Sequence, residues 1–247
     1  MIVKILQWNI WYEEDPRNVA GLIKRINPDI ACLQEVTTGF HQNIDVIQTI
    51  CDVMSGADVN YKQAQSWKTK SGVNRGQGNA IFSKYPIKKS FFNYLQSELF
   101  NTTHFDKEGR IYIEITVFIE GKELTIGTTH LSYIHRFIDT KAKNKQIDKL
   151  EERINQKHNN YVLLGDFNSP PDSLVIERIR NYLINCGPNF KHKTWTTKPF
   201  IEGDFIENKL NWRLDYAFST KDVNVINTEI IQTEFSDHLP LLVTIEV

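Results

Sequence analysis

The stretch LLGDFN at residues 163–168 places an acid and an amide directly against an apolar run, where a strand would deliver them to the edge of a sheet. The stretch FSDHLP at residues 235–240 does the same with an acid and a histidine. Two segments near the N-terminus share this design, QWN at residues 7–9 and LQEV at residues 33–36. Polar side chains at the ends of predicted strands are therefore the main functional signal in this sequence.

The composition is that of a globular protein with a sizeable core. The 247 residues are 40% hydrophobic and include 14 Phe, 9 Tyr and 5 Trp, which is ample apolar surface for a core at this length. Large sheet-rich enzymes commonly use this length for one domain. The 29 basic residues nearly balance the 30 acidic ones, so the net charge neither indicates a nucleic-acid partner nor excludes one.

Three cysteines lie in apolar contexts without CxxC spacing: Cys32, Cys51 and Cys186. This pattern predicts buried free thiols in a reducing compartment. The N-terminal residues enter a strand directly, without the basic and apolar regions of a signal peptide, and no stretch of the sequence reaches the length of a membrane span. We therefore predict a cytoplasmic protein with no membrane span, and the sequence indicates no protein partner.

Helical periodicity predicts four helices. Asp15 is the predicted N-cap of the first, with Pro16 at the first helical position. A third helix is predicted over residues 140–158, and a fourth after the turn at residues 168–171. A second helix is expected after Glu35, with an apolar face formed by Phe40, Ile44, Ile47 and Cys51.

Strands outnumber helices in the predicted pattern, and residues 110–130 form a predicted hairpin around the turn EGK. Hairpins mixed with crossovers exclude a purely parallel sheet, so we predict an α/β fold in which two mixed sheets pack face to face with helices outside. Two polar, poorly periodic segments, 55–78 and 187–212, are predicted surface loops that carry specificity. The predicted strands are 2–9, 29–34, 78–84, 110–119, 123–130, 160–166, 213–218, 223–231 and 239–247.

Seven short segments, in order along the chain, carry a family resemblance: WNI, LQEV, GNAIFSKYPI, TTHL, GDFN, WRLDY and SDHLP. Together they resemble the endonuclease/exonuclease/phosphatase superfamily, which includes deoxyribonuclease I, exonuclease III-type enzymes, tyrosyl-DNA phosphodiesterases and neutral sphingomyelinases. They run from residue 8 to residue 240, so the resemblance covers nearly the whole chain. It implies a four-layer α/β sandwich and a single catalytic domain over residues 1–247.

Glu35 ends an apolar strand, where an acid is unfavourable unless it is exposed or paired. A solvated carboxylate at a strand end is one interpretation. The resemblance implies another, in which Glu35 is the primary ligand of Mg²⁺, a hard cation that prefers oxygen ligands; Mn²⁺ is an alternative ion. It also implies that Asn9 supplies an amide oxygen or orients a metal-bound water, and that Asp237 lies near the metal or a second metal site.

Asp166 and Asn168 are two residues apart, so on a continuing strand both would point to the same face. An Asx-rich turn before Pro170 is the alternative interpretation. In the GDFN context, the resemblance implies that Asp166 positions or deprotonates the attacking water. It implies that Asn168 hydrogen-bonds the same water and the phosphate.

Histidines supply the remaining predicted catalytic groups. A histidine near a strand start is often structural, but the resemblance pairs His238 with Asp215, which would fix its tautomer and stabilise the imidazolium. His130 matches the TTHL segment, for which the resemblance implies donation to a non-bridging phosphate oxygen. Exonuclease III-type enzymes lack this histidine, which disfavours a simple abasic-site endonuclease.

Four further side chains are predicted to reach the substrate: Arg75, Asn79, Trp195 and Trp212. The two tryptophans lie in a poorly periodic region, where they either cover the core or provide a stacking platform for a base or an apolar leaving group. The segment around Asn79 also has a purely structural interpretation, as a core strand followed by a turn.

These observations predict a Mg²⁺-dependent phosphoesterase in which water attacks the phosphorus directly and in line, without a covalent enzyme intermediate. The predicted substrate is a nucleic-acid phosphodiester or a DNA-end adduct, because an aromatic-rich loop near WRLDY suits base stacking. A sphingomyelinase-like or small-molecule phosphodiesterase or phosphatase is the alternative among enzymes. A relative that binds without cleaving is the alternative from another class.

Overall fold

The structure is a computed structural model that describes residues 1–41, 44–70, 72–98, 100, 102, 104–157 and 159–247. Strands dominate it, and the longer helices lie on the outside. In chain order its helices and strands are β1 (Ile2–Asn9), α1 (Pro16–Ile26), β2 (Ile30–Thr38), β3 (Phe40–His41), β4 (Ile44–Asp45), α2 (Val46–Val53), β5 (Asp58–Lys68), β6 (Asn74–Ser83), β7 (Ile87–Gln96), β8 (Arg110–Ile119), β9 (Lys122–His130), α3 (Lys141–Ile154), β10 (Tyr161–Asp166), α4 (Leu174–Arg180), β11 (Ile184–Asn185), β12 (Phe200–Glu202), β13 (Phe205–Glu207), β14 (Asp215–Ser219), β15 (Asn224–Ile230) and β16 (Leu241–Glu246).

In the described part of the chain, most of these strands belong to two six-stranded sheets. The first sheet has the order β15-β16-β1-β2-β6-β5, and the second has the order β11-β14-β10-β9-β8-β7. In the first, β1 runs parallel to β2 and antiparallel to β16. In the second, β10 runs parallel to β9 and antiparallel to β14. The carboxyl ends of β1, β2, β9 and β10 therefore lie beside the amino ends of β14 and β16.

The two sheets pack face to face through an apolar interface. Ile5 and Ile81 of the first sheet meet Ile113 and Val162 of the second in one buried cluster. The outer face of the first sheet packs against α1 and α2, and that of the second packs against α3 and α4. The predicted four-layer α/β sandwich is confirmed, and each fully buried aliphatic side chain contributes about 1.5–3 kcal/mol to its stability.

Three of the predicted helices are confirmed, with changes at their ends. Asp15 caps α1 by accepting a hydrogen bond from the N–H of Arg17. The third predicted helix is shorter than expected, because α3 ends at Ile154; residue 158, its predicted limit, lies outside the described residues. The second predicted helix begins later than expected, since the ladder between β2 and β6 continues to Thr38 and α2 begins at Val46. Of its predicted apolar face, Ile47 and Cys51 lie in α2, whereas Phe40 and Ile44 lie in the short strands β3 and β4.

The predicted loop at residues 55–78 is also wrong, because it contains β5 and the first half of β6. β5 lies at the edge of its sheet, where most of its side chains are exposed or half-buried. The sequence of such a strand lacks the alternation of apolar and polar residues from which a strand is predicted. β7, at the edge of the second sheet, escapes sequence prediction for the same reason, and the predicted loop at 187–212 contains the short hairpin β12–β13.

The three cysteines are free thiols, with Cys32 and Cys186 buried and Cys51 half-buried. Burial raises the pKa of Cys186 to about 12, so this thiol is unreactive near neutral pH. Among the described helices, none combines the length and the apolar character that crossing a membrane requires.

Candidate active site

A β-bulge aims Glu35 into the end of the sandwich. The ladder between β2 and β6 is irregular between Leu33 and Val36, and Glu35 has a positive φ of 60°. Bulges re-aim side chains, and left-handed backbone at a residue other than glycine is concentrated at functional sites. The Glu35 carboxylate accepts hydrogen bonds from the Asn9 side chain at 3.0 Å and from the N–H of Tyr12 at 3.1 Å.

Asn9 joins the two sheets at this point. Its Nδ2 donates to Glu35 Oε1 at 3.0 Å and to Asp166 Oδ2 at 3.1 Å. Its Oδ1 accepts the N–H of Trp11 at 3.1 Å, so the amide oxygen is engaged elsewhere and the NH₂ group faces both carboxylates. In this orientation Asn9 is a donor that fixes Glu35 and Asp166, whereas the sequence predicted that it supplies an amide oxygen to the metal or orients a metal-bound water.

A turn, rather than strand alternation, brings Asp166 and Asn168 together. β10 ends at Asp166, and the N–H of Asn168, which has a positive φ of 46°, donates to Asp166 Oδ1 at 2.8 Å. This is the Asx turn of the alternative interpretation, and it builds the site. Gly165 allows β10 to approach β9, because a Cβ there would lie 2.2 Å from the carbonyl oxygen of Thr129.

His130 lies beside this turn at the end of β9, where its register partner is Asp166. Its Nε2 is 3.1 Å from Asn168 Nδ2 and 3.4 Å from Asp166 Oδ2. Burial, together with the positive charge of Arg110, lowers the pKa of His130 well below its usual value. The imidazole is therefore neutral near pH 7, and can donate one hydrogen bond and accept another.

Asp215 and His238 form a buried pair. Asp215 is the first residue of β14 and the register partner of Asp166, and its Oδ2 lies 2.9 Å from His238 Nδ1. His238 Nε2 lies 3.6 Å from Asp166 Oδ2. Burial opposes a charge on His238, but Asp215 and Asp166 outweigh it and raise the pKa of His238 well above its usual value. The site therefore holds an imidazolium between two carboxylates.

Two buried glutamines cross the sheet interface beneath this pair. Gln7 Nε2 donates to Gln34 Oε1 at 2.8 Å and to Asp215 Oδ1 at 3.0 Å. Gln34 Nε2 donates to Thr128 Oγ1 of the second sheet at 2.9 Å. Asp215 is thus held through one oxygen by Gln7 and through the other by His238.

Asp237 lines the same cavity as Glu35 and lies close enough for its charge to raise the pKa of that carboxyl. Ser236 folds the loop before β16, because its Oγ donates to the Asn9 carbonyl at 2.7 Å and accepts the N–H of His238 at 3.0 Å. The neighbouring Asp237 Oδ2 accepts the indole N–H of Trp195 at 2.9 Å. These contacts orient Asp237 and His238 from a single turn.

The carboxylates of the site fit a divalent cation. Burial and the charge of Asp237 raise the pKa of Glu35 to about 7, and burial raises the pKa of Asp166 to about 6. A bound cation would stabilise the ionised form of both groups, and carboxylate oxygens are the ligands that a hard ion such as Mg²⁺ prefers. Glu35 and Asp237 therefore form a candidate metal site.

Asp166, Asp215 and His238 also offer ligand atoms within 4.8 Å of one another. A metal bound there would have to replace the hydrogen bond between His238 Nδ1 and Asp215, and would meet an imidazolium. A metal held by Glu35 and Asp237 would leave the hydrogen bond between His238 and Asp215 intact, so we place the candidate metal site at Glu35 and Asp237.

One cavity of about 190 Å³ collects these groups. It is lined by all the predicted catalytic and metal-binding residues except Asp215, which lies behind His238. Its wall is largely aromatic and acidic. The other lining residues were not among the predicted site residues; they are Trp11, Tyr12, Glu13, Gln77, Phe105, Glu108, Arg110, Tyr133, Phe137 and Phe200.

Arg110 is the most informative of these additions. It is buried, its Nη2 pairs with Glu108 at 2.9 Å, and its Nε has no hydrogen-bond partner among the described residues. The guanidinium is close enough to His130 to lower the pKa of that imidazole. A planar guanidinium with a spare N–H suits a phosphate oxygen. No motif marks Arg110 in the sequence, where it only begins a predicted strand.

The sequence comparison agrees with this geometry. Residues 6–238 match the model of the Endonuclease/Exonuclease/phosphatase family. The chain belongs to this family. Its members are in general hydrolytic phosphoesterases that depend on a divalent metal.

Solved structures of family proteins show the same fold. One from Leptotrichia buccalis is 19% identical, with a TM-score of 0.73 over 99% of this chain and 100% of that chain. The human Nocturnin catalytic domain with bound sulfate is 18% identical, with a TM-score of 0.70 over 99% of this chain and 94% of that chain. The Bacteroides thetaiotaomicron mannosyl-6-phosphatase is 16% identical, with a TM-score of 0.69 over 99% of this chain and 100% of that chain. No curated protein matches the sequence.

Three of the four residues predicted to contact the substrate do not line the cavity. Asn79 is buried and donates to the Ile111 carbonyl at 2.9 Å. Arg75 lies on β6, paired in register with a residue of β5. Trp212 packs against Phe137, with 4.8 Å between the ring centroids. The structure therefore supports the structural interpretations of Asn79 and Trp212.

Trp195 reaches the cavity but offers no free face to a base. It is 4% exposed. Its ring lies 5.1 Å from both Phe137 and Phe200 and stacks on Phe205 at 6.4 Å between centroids. Aromatic neighbours thus already cover the indole, which supports the core-covering interpretation over the stacking platform.

Lys143, on α3, is buried beneath the Asn168 turn, and its Nζ donates to the Asn168 carbonyl. Burial lowers the pKa of Lys143 to about 7.

Lys143→Met should lower the free energy of unfolding by about 1–3 kcal/mol, because the buried carbonyl would lose its donor. Urea unfolding measures this loss, and Lys145→Met, at an exposed position of the same helix, is the control. Equal losses in both variants would rule out a specific contribution from the contact with Asn168.

Proposed function

We propose that the protein is a Mg²⁺-dependent phosphoesterase in which water attacks the phosphorus directly, in line with the leaving oxygen. The observation that carries this proposal is the convergence of Asn9, His130 and His238 on the Asp166 carboxylate, in a cavity that also holds Glu35. Both sheets contribute to this one site, which supports a single catalytic domain over residues 1–247. The free thiols support the proposal that it works in the cytoplasm.

Asp166 is the group placed to take a proton from the attacking water. Its two oxygens accept hydrogen bonds from the N–H of Asn168 at 2.8 Å and from Asn9 at 3.1 Å, which fixes the plane of the carboxylate. Its pKa of about 6 leaves it ionised at pH 7 and more basic than an ordinary aspartate, as general-base catalysis favours. Asn168, whose Nδ2 lies 3.4 Å from Asp166 Oδ2, would contact the same water and the phosphate.

The two histidines would act on the phosphoryl oxygens. The His238 imidazolium, fixed by Asp215, would stabilise the negative charge that develops in the transition state. Neutral His130 would donate a hydrogen bond to a non-bridging oxygen, and the spare N–H of Arg110 would add a second. These groups act by charge and position, so no covalent intermediate is required.

Glu35 and Asp237 would hold the metal. When bound there, Mg²⁺ or Mn²⁺ would neutralise charge on the phosphoryl oxygens and on the leaving oxygen. Asn9 would keep Glu35 in place by its hydrogen bond, without acting as an oxygen ligand itself.

The lining of the cavity favours a small or terminal phosphoester as substrate. The predicted nucleic-acid substrate relied on stacking by Trp195 and Trp212, and both rings pack within the aromatic cluster. Among the described residues that line the cavity, Arg110 is the one arginine or lysine, whereas five are acidic. A nucleic-acid strand needs several cations along its phosphates. A DNA-end adduct and a small-molecule phosphoester therefore fit better than an internal phosphodiester of a duplex.

Removal and return of the metal test the reaction. The protein should hydrolyse bis-p-nitrophenyl phosphate with Mg²⁺, lose this activity in EDTA, and regain it with Mg²⁺ or Mn²⁺. Glu35→Gln keeps the shape of the side chain but removes its charge, so it should raise the Mg²⁺ concentration for half-maximal rate by at least about 10-fold. Glu152→Gln, at an exposed position of α3, is the control. An unchanged Mg²⁺ dependence in a folded Glu35→Gln protein would contradict the ligand assignment.

A substrate panel then separates the candidates. It comprises a 5′-phosphotyrosyl oligonucleotide, abasic duplex, single-stranded DNA, RNA, a sugar phosphate and sphingomyelin vesicles. Preferred turnover of the phosphotyrosyl end or of the sugar phosphate is the expected result. Preferred cleavage inside a duplex would contradict the assignment to small or terminal phosphoesters.

A further inference from the structure

A short extended segment, residues 194–197, lies between Trp212 and the loop that carries His238. Trp195 forms antiparallel bridges with Trp212 on one side and with His238 on the other. The N–H of Leu239 donates at 2.8 Å to the carbonyl of the residue before Trp195. The backbone of this segment is therefore fixed against the loop that carries His238.

Trp195 uses this fixed backbone to reach Asp237. Its indole N–H donates to Asp237 Oδ2 at 2.9 Å. The ring is almost fully buried and packs edge-on against Phe137 and Phe200. An indole can only donate, and it has one hydrogen to donate. The contact therefore fixes one oxygen of Asp237 without neutralising the carboxylate.

We propose that Trp195 is a positioning residue that sets the orientation of the Asp237 carboxylate for a divalent cation. This inference rests on the proposed function, in which Glu35 and Asp237 hold that cation. Groups that hydrogen-bond a metal ligand fix its direction, and their loss typically weakens metal binding about 10–100-fold. Trp195 thus acts on the metal through Asp237, and not on the substrate through its ring face.

The same aromatic cluster supplies a matched control. Trp212 lies 4.8 Å from Phe137 between ring centroids, much as Trp195 does at 5.1 Å. The buried indole nitrogen of Trp212, however, has no hydrogen-bond partner in the described part of the chain. Replacing either tryptophan by phenylalanine removes a similar volume from the cluster, but only Trp195→Phe removes a hydrogen bond to a carboxylate.

Binding of Mn²⁺, measured by electron paramagnetic resonance without any substrate, tests the proposal. We expect Trp195→Phe to raise the Kd for Mn²⁺ by about 10–100-fold. We expect Trp212→Phe to change it by less than about 2-fold, because that side chain shares no hydrogen bond with the site. Equal effects of the two substitutions would overturn the proposal, since they would show that Trp195 acts only by packing.

A double-mutant cycle shows whether Trp195 acts through Asp237. In the Asp237→Ala background, Trp195→Phe should change the Kd for Mn²⁺ by less than about 2-fold, because the group on which it acts is gone. A loss of the same size with and without Asp237 would overturn the proposal.

The wild-type protein offers a readout that needs no Trp195 variant. Addition of Mg²⁺ should shift the indole ¹⁵N–¹H resonance of Trp195 more than that of Trp212, and the shift should disappear in Asp237→Ala. An unchanged Trp195 resonance at saturating Mg²⁺ would overturn the proposal. Because these measurements involve no turnover, a protein that binds the metal as expected but hydrolyses no phosphoester would contradict the proposed function and leave this inference standing.

Discussion

Asp166→Asn should lower kcat by about 10²–10⁴-fold and leave KM close to the wild-type value, which is the contribution expected of a positioned general base. The amide has the volume of the carboxylate and can still contact Asn9 or Asn168, but it cannot take a proton from water. The wild-type group is ionised at pH 7, since burial raises its pKa only to about 6. Steady-state kinetics on bis-p-nitrophenyl phosphate, at saturating Mg²⁺, separate kcat from KM.

Asp172→Asn is the control for this substitution, because Asp172 is exposed and lies in the turn that follows the site. It should leave both constants unchanged. A loss in Asp166→Asn that is confined to KM, or that added Mg²⁺ restores, would contradict the general base and make Asp166 a ligand of the substrate or the metal.

Asp215→Asn and His238→Ala should each lower kcat by about 10³–10⁴-fold, and the double variant should lose little more than either single variant. The two side chains act as one unit, since His238 Nδ1 lies 2.9 Å from Asp215 Oδ2 in a fully buried setting. Without Asp215, the imidazolium loses its nearest counter-charge. Without His238, Asp215 has no group on which to act.

Values of kcat for the wild type, both single variants and the double variant complete the test. Unfolding free energies measured alongside separate lost catalysis from lost structure, and His192→Ala, at an exposed position, is the control. Losses that multiply in the double variant would mean that the two residues act independently.

The candidate site residues could be singled out from the sequence because each lies beside an apolar run and the segments that carry them resemble one family in order along the chain. Asp166 ends a strand and His238 closely precedes one, each beside an apolar run, whereas Glu35 follows an apolar run inside β2. The topology then places those ends together, because β1 and β2 are parallel and so are β9 and β10. The local patterns and the family resemblance together therefore indicate one shared candidate site, even though the residues are far apart in the chain.

The features that escaped prediction depend on contacts between distant segments. The orientation of Asn9 is decided by the N–H of Trp11, and the role of Trp195 is decided by Asp237. Arg110 reaches the cavity without any motif around it. The edge strands β5 and β7 were missed for a related reason. Most of their side chains are exposed or half-buried, so apolar and polar residues do not alternate along them, and each strand is defined by its hydrogen bonds to the neighbouring strand.

The two glutamines beneath the site fix how the sheets sit on each other. Apolar packing is not directional, so aliphatic side chains alone would tolerate a slip of one sheet across the other. Such a slip would break the hydrogen bonds from Gln7 to Asp215 and from Gln34 to Thr128, at a cost of about 1–3 kcal/mol for each buried group left without its partner. Gln7 and Gln34 therefore fix the register of one sheet on the other, and with it the spacing between the two halves of the candidate site.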